Sequence, residues 1–324
     1  MKKSLQKYFY TCSNVFKEEL EFFSKTSFVG HLSEYTPRTA IPRFLGKHPI
    51  IMTPTGAFHN VCPHRGTRLL EEPTNRKVVT CPYHSWSFKL EDGINIKKKS
   101  CLKSISVSNF HGFQVTTDDN QWKMAWKDVG GIDWPTMNAT HSGTWHANAN
   151  WKLLVENFLE WYHLPSVHPG LTRVSVPNDH AYGDVDEWTI GFKTDPLTDA
   201  GTVADPSFKK HMPGAHPNIG WFHYLFPNMF WFVLPTHAFV ITLTPMTPTK
   251  TMEHGMLMTH PDSQWTNDQL ADLWKFYDTV NKEDIHICER MQLGMASEAF
   301  EQGWIDINAE KNILDFHKQL EFHF

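Results

Sequence analysis

The chain has 324 residues, a formal net charge of -5 and 20% charged residues, and its basic side chains are scattered apart from Lys97-Lys98-Lys99. That length accommodates about two domains, and the dispersed charge argues against nucleic acid as the main partner. Met1-Lys2-Lys3-Ser4 is basic, but no apolar core of roughly 7 residues follows it and no apolar run is long enough to span a bilayer, so a cytoplasmic protein without membrane association is expected. Five cysteines, an odd count, argue against a disulfide framework and for thiols that are free or metal-bound. The lysine run is most simply a solvated loop; docking of an acidic redox protein is its functional alternative.

Residues 4–25 place Phe16, Leu20 and Phe23 at helical spacing and predict a short amphipathic helix. From Phe28 the texture changes to short apolar runs broken by Pro, Gly and Asn: Phe28-Val29-Gly30, Pro49 to Met52, Gly56 to Val61, Val78 to Thr80 and Ser104 to Val107. Such punctuation predicts a small all-β domain with tight turns, ending near Gly130-Gly131.

Two loops in that region carry metal-ligand residue types, Cys62-Pro63-His64-Arg65-Gly66 and Cys81-Pro82-Tyr83-His84-Ser85-Trp86. Two thiolates with two imidazoles suit a structural zinc ion. They equally suit a Rieske 2Fe-2S cluster, in which the cysteines bind one iron and the histidines the other. The Pro after each Cys, the flanking strands, and Gly66, which would let the backbone approach a bulky cluster closely, favour the cluster.

The next candidate stretch runs from Asn157 to His168. If Trp151 to His163 is helical, Glu160 and His163 project from one face about a turn apart. Pro165 disfavours helix at Leu164 and bends the chain, bringing His168 back toward the same point. Two imidazoles suit iron, zinc, copper or nickel, and an open site with a further carboxylate suits non-haem iron(II). The plain alternative is a helix end with two surface histidines.

Further on, Trp221 to Leu234, turning at Pro227-Asn228, then Phe239 to Pro245 and Thr251 to His260, read as strands. Thr266-Asn267-Asp268-Gln269 has the form of a capping box. It opens a long helix with the stripe Leu270, Trp274, Tyr277, Asn281, Asp284, Cys288, Met291 and Met295. Asp284 therefore interrupts a core-facing stripe, and a buried carboxylate is costly unless paired, hydrogen-bonded or bound to a cation. Its neighbour Glu283 shares a polar face with Thr279, His286 and Arg290. A twisted antiparallel sheet crossed by such a helix would enclose a pocket. Trp145, His146, His237, His254 and His260 are read as structural.

The two Cys/His loops, Asn150-Trp151-Lys152 and Glu160-x-x-His163-x4-His168, in this order, resemble the catalytic α subunits of Rieske non-haem iron oxygenases. The resemblance covers most of residues 28–300. It implies an α+β fold: a small all-β Rieske domain over 27–130 and a helix-grip catalytic domain over 131–324, an antiparallel sheet with long helices, onto which an N-terminal helical arm, 1–26, packs. It implies that Cys62, His64, Cys81 and His84 bind the 2Fe-2S cluster, that His163 and His168 bind a mononuclear Fe(II) with Asp284 as third ligand, and that Glu160 links the two centres.

The same resemblance implies dioxygen as co-substrate, a homotrimer, and a separate NAD(P)H-dependent flavin/iron-sulfur reductase; no flavin-binding pattern or Gly-rich phosphate loop is present. The Asn157-x-x-Glu160 form is similar to carnitine and glycine betaine monooxygenases. It suggests hydroxylation or N-demethylation of a small quaternary or alkyl amine, with aromatic-ring hydroxylation or O-demethylation as the alternative. Trp221, Phe222, Tyr224, Phe226, Phe230, Trp231 and Phe232 could cage an ammonium by cation–π attraction, surround an aromatic substrate, or simply fill the core. An electron carrier, a zinc-stabilised binding protein and a metallohydrolase are the readings from other classes. Cys12, Cys101 and Cys288 match no ligand position, and the segment from Thr36 to Pro49 looks compressed relative to the family, which bears on the subunit interface.

Overall fold

The computed structural model describes residues 1–35, 39–116, 131–173, 180–194, 212–217 and 219–324, so Gly130 and the start of the segment from Thr36 to Pro49 lie outside the described residues. Its contacts divide into two units, residues 20–123 and residues 1–19 with 124–324.

Lys2–Gln6 forms strand β1, not the start of a helix. It pairs with a strand near the other end of the chain, and that distant partner overrides a local pattern too short to hold a helix alone. The helical signal takes effect later, in α1 (Tyr8–Thr11) and α2 (Ser13–Phe23), where Phe16 and Phe23 are buried.

The smaller unit contains β2 (Ser27–His31), β3 (Ile41–Leu45), β4 (His48–Thr53), β5 (Gly56–His59), β6 (Val78–Thr80), β7 (Ser87–Lys89), β8 (Ser104–Ile105), β9 (Val107–Phe110) and β10 (Phe113–Thr116). They pair as β2-β10-β9, β3-β4-β5-β8 and the hairpin β6-β7. Side chains alternate across a strand, and β4 uses both faces: Ile50 and Met52 enter one apolar cluster with Val29, Tyr35 and Leu45, while Ile51 enters a second with Phe58, Leu69, Val79 and Phe88. Cys62 and Cys81 sit in that second cluster, so the loops bearing them start from a fixed floor. Lys97-Lys98-Lys99 is exposed, on a turn whose Lys97 and Lys98 N–H groups donate to Asn95 Oδ1.

The larger unit continues with β11 (Asn138–Ala147), α3 (Trp151–Phe158), α4 (Leu164–Val167), β12 (His180–Val185), β13 (Thr189–Thr194), β14 (Gly220–Leu225), β15 (Met229–Val233), β16 (Ala238–Thr247), β17 (Lys250–Thr259), α5 (Asn267–Met295), β18 (Gln302–Ile305) and α6 (Lys311–His323). Seven strands form one antiparallel sheet, β11-β17-β16-β15-β14-β13-β12, and α5 lies against β11 and α3. The fold class is α+β, mostly antiparallel with few helices.

The capping box at the head of α5 is complete: Thr266 Oγ1 accepts from Gln269 N, and Gln269 Oε1 accepts from Thr266 N. The expected stripe is buried or half-buried except at Met291, and it is buried again at Met295. Met291 is exposed, and Gln292 is buried in its place, accepting from Asn150 N at 2.7 Å.

The expected helix from Trp151 to His163 ends at Phe158. Asn150 caps its start, accepting from Lys152 N at 3.0 Å. Beyond Leu159 the Glu160 carboxylate takes the backbone N–H groups of Tyr162 and His163, which starts a new turn instead of continuing the old one. Leu164 is helical despite preceding Pro165, because Pro165 stands in the first turn of α4, where a missing N–H costs nothing.

Candidate metal centres

In the smaller unit the two Cys/His loops are built alike. Gly66 N donates to Cys62 O at 2.9 Å and Cys62 N to Thr67 O at 2.8 Å; Ser85 N donates to Cys81 O at 3.0 Å and Cys81 N to Trp86 O at 2.7 Å. In each loop the residue four past the cysteine has a positive φ, +75° at Gly66 and +57° at Ser85. A Cβ added to Gly66 would meet nothing within 4 Å. Its positive φ puts it in the left-handed turn, a conformation that glycine adopts without strain.

The closed turns aim backbone N–H groups at sulfur, those of His64 and Arg65 at Cys62 and those of Tyr83 and His84 at Cys81. Burial raises the Cys81 thiol, but these bonds outweigh it and lower its pKa. Both thiols are buried while His64 and His84 are exposed. The two rings lie 4.7 Å apart, centroid to centroid, and His64 stacks on Trp86 at 4.6 Å. A zinc ion needs its donors about 3.5 Å apart around one point. Among the described residues, the group of three or more His, Cys, Asp or Glu donors gathered within 4.8 Å is found elsewhere. Buried sulfurs with exposed imidazoles fit a two-iron cluster held by thiolates at one end and imidazoles at the other.

That tighter group is His163, His168 and Asp284, in the larger unit. His163 and His168 bracket α4, and Asp284 reaches them from α5. Asp284 Oδ1 lies 2.8 Å from His168 Nε2 and 3.4 Å from His163 Nε2. Each imidazole meets a further carboxylate through its other nitrogen: His163 Nδ1 lies 2.5 Å from Glu160 Oε1, and His168 Nδ1 lies 2.7 Å from Glu283 Oε2. Those carboxylates hold a proton on Nδ1 of each ring, and Nε2 faces Asp284, able to bind a metal once its own proton is lost. Burial lowers the His163 pKa, but bonds to Asp284 and Glu160 outweigh it and hold it up to about 10. Two imidazoles and one carboxylate on one side of a point fit iron(II) with open positions.

Helical periodicity puts Glu283 on a polar face, and its side chain is 38% exposed, yet its carboxylate turns back to His168. Two acids in succession are separated by about 100° around a helix, so a stripe can claim only one of them. The available signal was the recurrent pairing of metal-bound histidine with a carboxylate. Asn157 lines the same cavity as Glu160 and the triad, and no hydrogen bond joins it to them. Cys288 is fully buried, with Sγ 3.6 Å from Leu153 O, and belongs to the core. The five cysteines are all unpaired.

A cavity of about 140 Å³ opens from the triad between α3, α5 and the sheet. Of seven sheet aromatics considered from sequence, Phe222, Phe230 and Phe232 line it. Trp231 points to the other face, onto Trp134 and His223, as strand alternation requires. Trp221 lies alongside His223, and Tyr224 packs on Phe316 and Phe226 on His323, toward α6. Phe158, Trp161, Phe192 and Tyr277 complete the aromatic wall. Phe158 stacks on Phe230 at 4.4 Å, and Phe192 on Phe222 at 4.7 Å. Tyr277 Oη lies 2.6 Å from His237 Nε2, which fixes the ring; His237 and Trp145, whose Nε1 donates to Asp278 at 2.8 Å, support the framework. Three carboxylates, those of Glu160, Glu253 and Asp284, line the cavity, and no Lys or Arg does among the described residues.

One centre suited to storing electrons and another suited to binding dioxygen define a two-centre iron oxygenase, and relatives belong to the same class. Residues 26–108 match the Rieske [2Fe-2S] domain, and residues 135–322 match the ring hydroxylating alpha subunit catalytic domain. The second match spans more than half of the chain. The chain belongs to the ring-hydroxylating alpha subunit family and is a Rieske oxygenase, an oxidoreductase whose cofactors are a 2Fe-2S cluster and a mononuclear iron.

Among the relatives, the carnitine monooxygenase oxygenase subunit of Acinetobacter baumannii is 29% identical, over 96% of this chain and 90% of its own length. The glycine betaine monooxygenase oxygenase subunit of Chromohalobacter salexigens is 24% identical, over 97% and 84%. In fold, the chain is similar to the quaternary ammonium Rieske monooxygenase CntA in complex with L-carnitine, with a TM-score of 0.78, 23% identity, and coverage of 99% and 96%. Naphthalene 1,2-dioxygenase from Rhodococcus sp. is similar at a TM-score of 0.74 and 16% identity, over 98% and 93%.

Proposed function

We propose that this chain is the oxygenase subunit of a monooxygenase that hydroxylates an N-methyl group of a small quaternary or alkyl amine. The observation that carries the reading is the cavity beside His163, His168 and Asp284, with aromatic walls and three carboxylates but no described Lys or Arg. Aromatic faces attract a quaternary ammonium, and no described Lys or Arg on the wall would pair with the carboxylate of a benzoate. Relatives named for carnitine and glycine betaine support the same class.

In this reading His163, His168 and Asp284 hold the iron, and Cys62, His64, Cys81 and His84 hold the cluster. When bound, these groups supply dioxygen activation and one-electron reduction. Glu160 and Glu283 orient the two imidazoles, and the aromatic wall excludes water from the substrate. Asn157 borders the site as a polar contact. In the balanced reaction one oxygen atom enters an N-methyl C–H bond. The other leaves as water with two electrons and two protons, and for a quaternary substrate the resulting N-hydroxymethyl cation loses its hydroxyl proton and breaks its C–N bond to release formaldehyde and the tertiary amine.

Electrons come from a separate NAD(P)H-dependent flavin/iron-sulfur reductase, a reading supported by the lack of a flavin or nucleotide motif in the sequence. We infer a homotrimer in which Glu160 bridges His163 to the residues that would hold the cluster of a neighbouring subunit. The exposed His64 and His84, with Tyr83 exposed beside them, and the inter-subunit electron transfer described for a quaternary ammonium Rieske monooxygenase of similar fold support this. A cytoplasmic location is supported by the five unpaired cysteines; no described helix is long and apolar enough to cross a membrane.

With a surrogate reductase, betaines should stimulate NADH consumption and formaldehyde release, and benzoates should not. Stimulation by benzoates or aryl ethers alone would replace this reading with the aromatic-ring or O-demethylating one.

A further inference from the structure

Three carboxylates line the cavity, and two of them are committed. Glu160 holds the ring and the backbone N–H of His163, and Asp284 faces both Nε2 atoms. Glu253, on β17, is 2% exposed, and its one described hydrogen bond is from the neutral amide of Asn281, Nδ2 to Oε2 at 2.7 Å. No described Lys, Arg or His pairs with it. Its strand also buries Thr251, His254, Met256, Leu257, Met258 and Thr259, and Glu253 is the one acid among them. A carboxylate buried without a counter-charge is costly, and nothing in the packing of the sheet requires one.

We propose that Glu253 is the anionic anchor that selects a cationic substrate over a neutral one of the same shape. The inference rests on the reading of the cavity as an alkylammonium site. A quaternary nitrogen has no N–H to donate, so it is recognised only by aromatic faces and by charge. The faces are Phe158, Phe230, Phe232 and Tyr277, and Glu253 is the cavity's uncommitted charge. Asn281 holds one carboxylate oxygen in place and contributes no charge of its own. Burial pushes the acid up to about 7, as expected for a group whose counter-ion arrives with the ligand.

The test is calorimetric binding to the iron-loaded enzyme of choline and of its neutral isostere 3,3-dimethylbutan-1-ol, with iron content and the Rieske signal recorded for each variant. Wild type should prefer choline. Glu253→Gln and Glu253→Met should cut that preference by about tenfold or more, from the loss of one charge in a partly dry site, while leaving the isostere's affinity unchanged. Glu253→Asp, which keeps the charge, should retain a preference for choline. Retained preference in the Gln or Met variant, or its loss in the Asp variant, overturns the anchor while the alkylammonium reading stands. A wild type that does not prefer choline overturns that reading, and the anchor with it.

Discussion

Replacing Glu283 by Ala removes the carboxylate that meets His168 Nδ1 at 2.7 Å. The His168 side chain is only 1% exposed, so its N–H is left facing a site with little water, and the ring no longer has a partner selecting the Nδ1–H tautomer. A buried donor left without an acceptor costs about 1–3 kcal/mol, and loss of a carboxylate behind a metal-bound histidine weakens metal binding about 10- to 100-fold, or about 1.4–2.7 kcal/mol. Glu283 is itself 38% exposed, and its removal admits water to Nδ1, which places the expected loss near tenfold. Glu283→Gln, which keeps an acceptor oxygen, should lose less. Chelator competition for the mononuclear iron measures the affinity, and an unchanged Rieske signal shows that the rest of the protein is intact. Iron bound by Glu283→Ala as tightly as by wild type would refute the assignment of Glu283 as an orienting group.

Glu160→Ala should retain both metals at saturating iron and lose coupled turnover; metal analysis with NADH-to-product stoichiometry checks this, and wild-type coupling would sink the bridging role. Lys152→Met strands Glu19, whose side chain is 5% exposed and 2.5 Å from Lys152 Nζ. An uncompensated buried charge costs about 3–5 kcal/mol, read as the loss in urea stability of the larger unit. Lys152→Met with Glu19→Gln, which retains an acceptor for Trp151 Nε1, should cost less than the single change, and an equal or greater cost would exclude the buried ion pair as the cause.

Much of the chemistry was legible in the sequence because it is carried by residues close together in the chain. The two Cys/His loops, the Glu160 to His168 stretch and the capping box at Thr266 each consist of groups that local backbone geometry brings near one another. Asp284 was legible for a different reason, as a charge at a position where helical periodicity demands an apolar side chain. Glu283 and Glu253 left no such trace. One stood on a face that periodicity assigns to solvent, and the other stood in a strand whose place beside the cavity depends on β11 and α5.

The sequence by itself determined the donor types, their spacing and the two-part organisation, because ligand chemistry and short-range periodicity are properties of the chain. Tertiary structure alone decided that Lys2–Gln6 is a strand, through its pairing with Gln302–Ile305. It alone decided that α3 stops at Phe158, through a carboxylate that caps the next turn. It also chose which aromatics face the cavity and which acid stands behind His168, since those choices depend on packing between segments distant in the chain, as in the bond between His168 and Glu283.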